Sequence, residues 1–484
     1  MQETELKLAL TREAVDALEA SALLNGESTK ITQRAIYFDT PDQALRAHGL
    51  SLRIRQNGHG RVQTIKGGGA GHAGLFVRPE WEMPVPDDTP VLDDSTPVSA
   101  LLGDDVDRLA PAFELQVDRR TWIIRQDAAE MELVLDRGAA IAGARSTEIC
   151  EAELELLSGD PAALFAFART IAAIAPVRLG VESKAARGYR LLEAVPVAFK
   201  AQAVALDTGQ TGASAFEQIA NACLHHYRLN EALMLADGGP EALHQARVAL
   251  RRLRSALAIF KDMLADARFL HFRSELRWLT AIFGDARNLD VLREKAGAGA
   301  LHDRIEKARA IAHDQVQTAL ASGRTRTLML DLAHWVAMGD WLFAPETLAA
   351  RERSAVASAA DQLARFKRRL RNHGGHFASL SDEARHEVRK DAKKLRYAAE
   401  FFGSLYPGKG DQRRYRKFVK GLEALQDTLG TLNDLATGHD VLAKLGLEGD
   451  TEAKAMLEGE SKSQLLLSAT DTIHDFKDMR KFWD

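Results

Sequence analysis

The sequence predicts an α+β chain of more than one domain: a strand-rich antiparallel first half with a few helices, then an all-helical bundle of two pseudo-symmetric halves. Three observations carry this. Through about residue 195, short segments alternate apolar and polar residues with the period of two that a strand requires. From about residue 214 the apolar positions recur at three and four, the period of a helix. Inside that helical half, a single basic phrase is written twice. The 484 residues leave room for roughly two to four domains. The divisions read as 1–195, a weakly patterned linker over 196–213, and 214–484.

The strands come first. "ETELKLAL" (3–10) places Glu3, Glu5 and Lys7 on one face and Leu6, Leu8 and Leu10 on the other. "GLSLRIR", "TWIIR", "MELVLD" and "ICEAELELL" repeat the alternation, separated by turn-rich stretches such as "KGGGAGHAG" and "VPDDTPVLDDSTP". Helical stretches interrupt near 11–24 and 160–175. Three charges on one face are a poor fit to a dry core, but they suit the wet interior of a barrel. One such strand alone reads as a solvated face. The pattern recurs, however, in Arg53 and Arg55, Glu80 and Glu82, Glu132 and Asp136, and Glu151, Glu153 and Glu155, with Lys66, Arg78, Arg119, Lys184 and Arg187 adding cations. If those faces converge, a channel lined by both signs results. Carboxylates there suit hard cations such as Mg²⁺ or Mn²⁺. Arginine and lysine suit the remaining charge of a polyphosphate, and phosphoryl transfer needs chiefly positioning and charge stabilisation.

In the helical half, "HQARVALRRLR" (244–254) and "HEVRKDAKKLR" (386–396) align with one offset. His244, Arg247, Arg251, Arg252 and Arg254 fall opposite His386, Arg389, Lys393, Lys394 and Arg396. The apolar register matches too: Ala246, Leu250, Leu253, Leu257 and Phe260 oppose Val388, Ala392, Leu395, Ala399 and Phe402. Like charges one turn apart repel, so this basic stripe asks for an anion, and arginine's planar fork suits phosphate. Downstream, "LTAIFGDARNLDV" and "LQDTLGTLNDLAT" correspond around Gly284 and Gly430, so the repeat exceeds one helix. Duplication implies that the two basic helices line a shared groove. Glu387 and Asp391 lie within the second basic run and weaken that side.

Composition narrows the rest. The net charge of −4 hides a division: 21 Lys and Arg against 30 Asp and Glu through residue 195, and 43 against 38 thereafter. No run approaches a membrane span, and "MQETELKL" lacks a signal-peptide plan. Cys150 and Cys223 are too few for a disulfide framework or zinc site, which points to a reducing cytoplasm. "KGGGAGHAG" lacks the ending of a P-loop; nucleophile-elbow, HExxH and CxxC motifs are absent; and His48, His59 and His72 fall in turns without ligand spacing. The helical half is only mildly basic with sparse aromatics, which disfavours nucleic acid.

Glu3-Thr-Glu5-Leu-Lys7 resembles the ExExK signature of the CYTH superfamily, the triphosphate tunnel metalloenzymes. "YFDTPDQALRAHGLSLRIR" (37–55), "GLFVRPEWE" (74–82), "ICEAELELLSGD" (149–160) and "SKAARGY" (183–189) resemble it in the same order. The doubled His-x-x-Arg element is similar to the CHAD domain, a helical module associated with inorganic polyphosphate. Together they resemble bacterial CYTH–CHAD inorganic triphosphatases. The resemblance implies an eight-stranded antiparallel tunnel that holds a triphosphate. It implies Glu3, Glu5, Glu151 and Glu153 as metal ligands, and Glu132 and Asp136 as ligands or orienters of the attacking water. Arg53, Arg55, Lys66, Arg78, Arg119 and Lys184 would grip phosphate, with Lys7 at the tunnel mouth or near the leaving group. In the helical module, Arg247, Arg251, Arg254, Arg389, Lys393 and Arg396 would bind a longer polyanion, with His244, Arg252, His386 and Lys394 as further members of the basic set. The expected activity is Mg²⁺- or Mn²⁺-dependent hydrolysis of inorganic tripolyphosphate to diphosphate and phosphate, with longer polyphosphate as partner of the helical domain and no membrane. Competing expectations are an adenylate cyclase or a thiamine or nucleoside triphosphatase on the same fold, and a non-catalytic polyphosphate-binding scaffold.

Overall fold

In a computed structural model of the chain, the described residues are 2–58, 60–67, 70–72, 74–93, 96–236, 239–457 and 462–484. His59 and the side chain of His72 lie outside them. Ten strands are present among the described residues: β1 Gln2–Ala9, β2 Thr29–Asp39, β3 Ser51–Asn57, β4 Gly60–Lys66, β5 Ala70–His72, β6 Leu75–Val85, β7 Ala110–Gln126, β8 Ala129–Ala142, β9 Arg145–Ser158 and β10 Arg178–Leu179. Eight of them form a ring in the order β1-β9-β8-β7-β2-β3-β4-β6, closed by pairing of β6 back onto β1. Every pairing is antiparallel. β1 makes closure possible by straddling two neighbours: Gln2–Leu6 pair with β6, and Glu5–Ala9 pair with β9. The expected eight-stranded antiparallel tunnel is therefore the observed one, with β5 and β10 appended at its rim.

Three apolar layers hold the ring. Leu6, Leu8, Ala152 and Leu154 are fully buried on the outside of β1 and β9, as are Leu164, Phe165 and Ile171 of α4 (Ala162–Ile174), which with α1 (Arg12–Glu19) contacts these strands. On another side Ile36, Phe38, Leu52, Ile54 and Ile65 pack with Leu45 of α2 (Ala44–Ala47) and with Val98 and Leu102 of α3 (Pro97–Leu102). The third layer is internal. Tyr37, Phe113, Leu115, Val117 and Ile149 meet Tyr189 and Leu191, delivered by α5 (Lys184–Arg190) and its C-cap. Tyr37 stacks on Phe113 with centroids 4.6 Å apart, Tyr189 meets Phe113 edge-on at 5.0 Å, and the Tyr189 hydroxyl donates to Asp39 at 2.7 Å. α5 can approach this closely because residue 188 is glycine: a Cβ there would stand 2.0 Å from the Phe113 ring.

The chain forms two compact units, Met1–Val197 with Arg326–Met338, and Ala198–Thr325 with Gly339–Asp484. The segment 326–338 joins the first unit through α4, where Arg169 Nε donates to Asp331 at 3.0 Å and Phe165 faces His334. The second unit is helical. It holds α6 (Gly212–Ala236), α7 (Pro240–Ile259), α8 (Ala267–Lys295) and α9 (Ala300–Ala321), after which α10 (Gly323–Met338) runs into the first unit. It resumes with α11 (Leu348–Arg351), α12 (Ala355–His373), α13 (Asp382–Phe402), α14 (Lys409–Lys444), α15 (Thr451–Leu457) and α16 (Lys462–Lys477). The repeat is structural: α13 begins 142 residues after α7, and the neighbours α6–α7–α8 correspond to α12–α13–α14. Both apolar stripes are buried. The repeat-equivalent rings of Phe260 and Phe402 touch edge-on at 5.9 Å, which places a pseudo-twofold axis between α7 and α13. Residues 198–206 are fastened to this unit: Phe199 exchanges hydrogen bonds with Asn230, and the Leu206 amide donates to Ser404 Oγ at 2.8 Å. Among the described residues, no helix is long and apolar enough to cross a membrane.

Gly188→Ala forces Phe113 out of its stack and overpacks the plug. Equilibrium denaturation should show a loss of about 1–3 kcal/mol.

Candidate functional site

Strand alternation sends one set of side chains from each of the eight strands into the ring. Register then makes several of them direct cross-strand neighbours: Lys7 opposes Glu153, Asp136 opposes both Arg119 and Glu151, and Lys66 opposes Glu80. They surround a cavity of about 280 Å³, lined by Glu5, Lys7, Arg53, Arg55, Lys66, Glu80, Glu82, Arg119, Glu132, Glu153, Glu155 and Lys184, with Tyr37 and Ala185 where the aromatic plug begins. The ring order gives this lining two walls. β9 and β8 carry Glu153, Glu155 and Glu132 on the lining, with Glu151 and Asp136 on the same two strands; four places away stand β3 and β4 with Arg53, Arg55 and Lys66.

The acidic wall is tightly braced. The Lys184 ammonium lies 2.7 Å from Asp136, 2.5 Å from Glu151 and 3.0 Å from Glu153. Arg119 forks onto both oxygens of Asp136 at 2.8 and 2.7 Å and reaches Glu153 at 3.3 Å. Lys7 bonds Glu153 and sits 3.3 Å from Glu5, and Arg187 reaches Glu151 at 2.6 Å. Burial disfavours every charge here, yet the opposite charges outweigh it. Lys184 and Arg119 hold Asp136 below its usual range, Lys184 and Lys7 hold Glu153 well below its own, and the carboxylates raise Lys7 and Lys184. Asp136, Glu151 and Glu153 each offer an oxygen within 4.8 Å of the others.

On the basic wall Lys66 pairs with Glu80 at 3.1 Å, and the two arginines are less satisfied. Arg53 touches the Tyr37 hydroxyl at 3.4 Å and Arg55 touches Glu82 at 3.2 Å, while both Nε atoms are buried without a hydrogen-bond partner. Burial and then the neighbouring Arg53 lower Arg55. Such groups favour an incoming anion. The ring therefore gathers Glu5, Lys7, Arg53, Arg55, Lys66, Arg119, Glu132, Asp136, Glu151, Glu153 and Lys184 around one interior. Glu3 and Arg78 are cross-strand partners by backbone register, and their side chains lie outside the described residues. Tyr37, Ser51 and Ser183 also line the cavity and were not among the sequence candidates. Arg187, which the sequence marks only as one of several cations, joins the ion network through Glu151.

The second site lies between α7 and α13. Arg247 and Arg389 are half-buried, each with a buried Nε that lacks a hydrogen-bond partner. Burial, then Arg251 and Arg389, brings Arg247 down to about 10; burial, then Arg251, Arg389 and Arg247, brings Lys393 down to about 6. Asp434 of α14 is the acid that opposes them. Gly284 leaves room for Arg247, whose guanidinium lies 3.6 Å from where a Cβ would be. His244 falls to about 4 through burial and then Arg287, and so is neutral near pH 7; His386 is lowered by burial and then by Lys390. The remaining candidates point elsewhere. Arg252 pairs with Glu400 at 3.1 Å, Lys394 with Asp391 at 3.6 Å, and Arg396 with Glu400 at 2.7 Å and Glu423 at 3.4 Å. Arg254 faces Arg273 and Arg277.

The fold and interior define an antiparallel tunnel protein with an appended, internally duplicated helical domain. Residues 1–189 match the CYTH domain and residues 218–443 the CHAD domain, so the chain carries a CYTH domain followed by a CHAD domain. It is 31% identical over 202 residues to an inorganic triphosphatase of Haemophilus influenzae, an alignment covering 40% of this chain and 55% of that protein. The chain thus spans about half the length of that curated relative. A CHAD domain structure from the plant Ricinus communis is 28% identical, covering 59% of this chain and 97% of that one, with a TM-score of 0.49. A Hippeastrum structure, assigned as an adenylyl cyclase and described as having a dominant triphosphatase activity, is 20% identical over 40% of this chain and 98% of that one, with a TM-score of 0.32.

Asp136→Asn removes a buried charge that serves both Arg119 and Lys184. Urea unfolding should show a loss of about 3 kcal/mol, more than the median exposed ion pair contributes.

Proposed function

We propose that the chain hydrolyses inorganic tripolyphosphate to diphosphate and phosphate inside the ring, and that the helical unit binds longer polyphosphate. The two-walled interior is the observation that carries this: acids on β8 and β9 confront cations on β3 and β4 across one small cavity. The metal reading rests on the donor set. Asp136, Glu151 and Glu153 form an all-oxygen group that fits Mg²⁺ or Mn²⁺, and Glu5 lines the same cavity. A divalent ion held there supplies Lewis-acid polarisation of a phosphoryl oxygen. Arg53, Arg55, Lys66 and Arg119 bind the phosphate oxygens and hold the chain in line. Glu132, on the cavity wall, orients the attacking water by accepting a hydrogen bond from its O–H. Lys7 stays charged through Glu153 and Glu5 and faces charge that develops on the departing diphosphate oxygen. Both cysteines are free and buried, which supports a reducing cytoplasm as the working compartment.

In the helical unit the cluster of Arg247, Arg251, Arg389 and Lys393, which outnumbers the opposing Asp434, supports polyanion binding. The mutual repulsion of these cations is relieved when phosphate arrives.

Purified protein assayed beside ATP and thiamine triphosphate should release phosphate fastest from tripolyphosphate, only with Mg²⁺ or Mn²⁺ added. Glu5→Ala with Glu153→Ala should lower turnover on the order of a hundredfold or more; full turnover in that variant removes the assignment. A second expectation concerns pH. Lys393 is depressed to about 6, so it is mostly neutral at pH 8 and must take up a proton when a polyanion binds. Polyphosphate affinity should therefore fall as pH rises from 6 to 8. Calorimetry in buffers of different ionisation enthalpy should report proton uptake, and Lys393→Met should abolish it.

A further inference from the structure

The two halves of the helical unit are not electrostatic copies. Matching α8 to α14 through Gly284 and Gly430 places Arg287 opposite Asn433, Arg277 opposite Glu423 and Arg273 opposite Val419. The contacts bear the match out: Arg389, the counterpart of Arg247, donates to Asn433, and Arg396, the counterpart of Arg254, reaches Glu423. Ala258 in the first half likewise becomes Glu400 in the second, and Glu400 pairs with Arg396. In the second half the end of the basic stripe is thus neutralised by two acids. In the first half nothing comparable is present. Arg254 is half-buried against Arg277 and Arg273, which depress it after burial itself, and among the described residues no acid lies within ion-pair distance of these three. Arg273, Arg277, Thr280, Gly284 and Arg287 recur at four and three on α8, so they form one face. That face runs alongside His244, Arg247, Arg251 and Arg254 of α7. From Arg273 to Arg287 it covers about 20 Å, more than a triphosphate can span.

We propose that Arg254, Arg277 and Arg273 form a one-sided track along which a linear inorganic polyanion leaves the central cluster, while Glu400 and Glu423 close the other side. Longer chains then gain contacts that short ones cannot reach. The inference rests on the reading of the helical unit as a polyphosphate binder. An inorganic polyanion fits better than a nucleic acid because the nearby rings are not free for base stacking. Phe269 and Phe272 are buried, and Arg324 covers Trp278 at 3.8 Å.

The test uses the full chain with a chelator present to stop turnover, and long-chain polyphosphate, tripolyphosphate and single-stranded RNA as probes over a salt series. Arg273→Ala with Arg277→Ala alters two exposed side chains. It should reduce the salt slope for long-chain polyphosphate by about one unit per arginine removed and leave tripolyphosphate binding unchanged. Glu423→Gln should strengthen the long chain alone. Equal losses for both polyphosphate lengths, or no loss for either, overturn the track. Tighter binding of RNA than of long-chain polyphosphate also overturns it. If the unaltered chain binds no polyphosphate, the underlying reading fails instead, and the variants will show no difference because there is nothing to lose.

Discussion

A charge taken out of water must find an opposite charge or a ligand, and the architecture of this chain follows from how each unit meets that demand. In the ring, closure turns eight polar strand faces toward one another. The resulting interior survives because cations and carboxylates are interleaved by register: Lys7 beside Glu153, and Arg119 across from Asp136. A ring that opened between β1 and β6 would hand those groups back to water. Closure, ionic balance and the cavity are thus one property of the fold.

The helical unit handles the same demand differently. Arg247, Arg389 and Lys393 are half-buried on α7 and α13 with Asp434 opposing them, and burial and neighbouring cations lower all three. Where the chain does place acids, at Glu400 and Glu423, the cations become ordinary structural pairs. The contrast between Arg251, which hydrogen-bonds the Tyr397 hydroxyl at 2.7 Å, and its neighbour Arg252, locked to Glu400, shows how one residue of helical phase separates a member of the central cluster from a structural ion pair.

Much of this was legible in the sequence because periodicity is local. The charged strand faces and the buried stripes from Ala246 to Phe260 and from Val388 to Phe402 follow from spacing, whereas their closure into one interior is what the family resemblance implies. Long-range partners were not legible. Nothing near Tyr37 announces that Phe113 and Tyr189 will close over it, since the three meet only after the ring has formed. The grouping of Arg326–Met338 with the first unit was equally hidden, because an amphipathic helix reads the same whichever surface it covers. The pairing of Arg396 with Glu400 was readable at one turn's spacing. Glu423, which completes it, lies on another helix.

Phe260 and Phe402 occupy the same place in their respective repeats and touch each other. Self-contact at equivalent positions is the mark of an isologous joint, the kind two identical chains make in a twofold dimer. While such halves are encoded once, every residue is obliged to appear on both sides, and an arginine cannot face its own position rewritten as glutamate. Joining the copies in one polypeptide lifts that obligation. The covalent link between the halves is therefore what permits Arg277 and Glu423 to diverge.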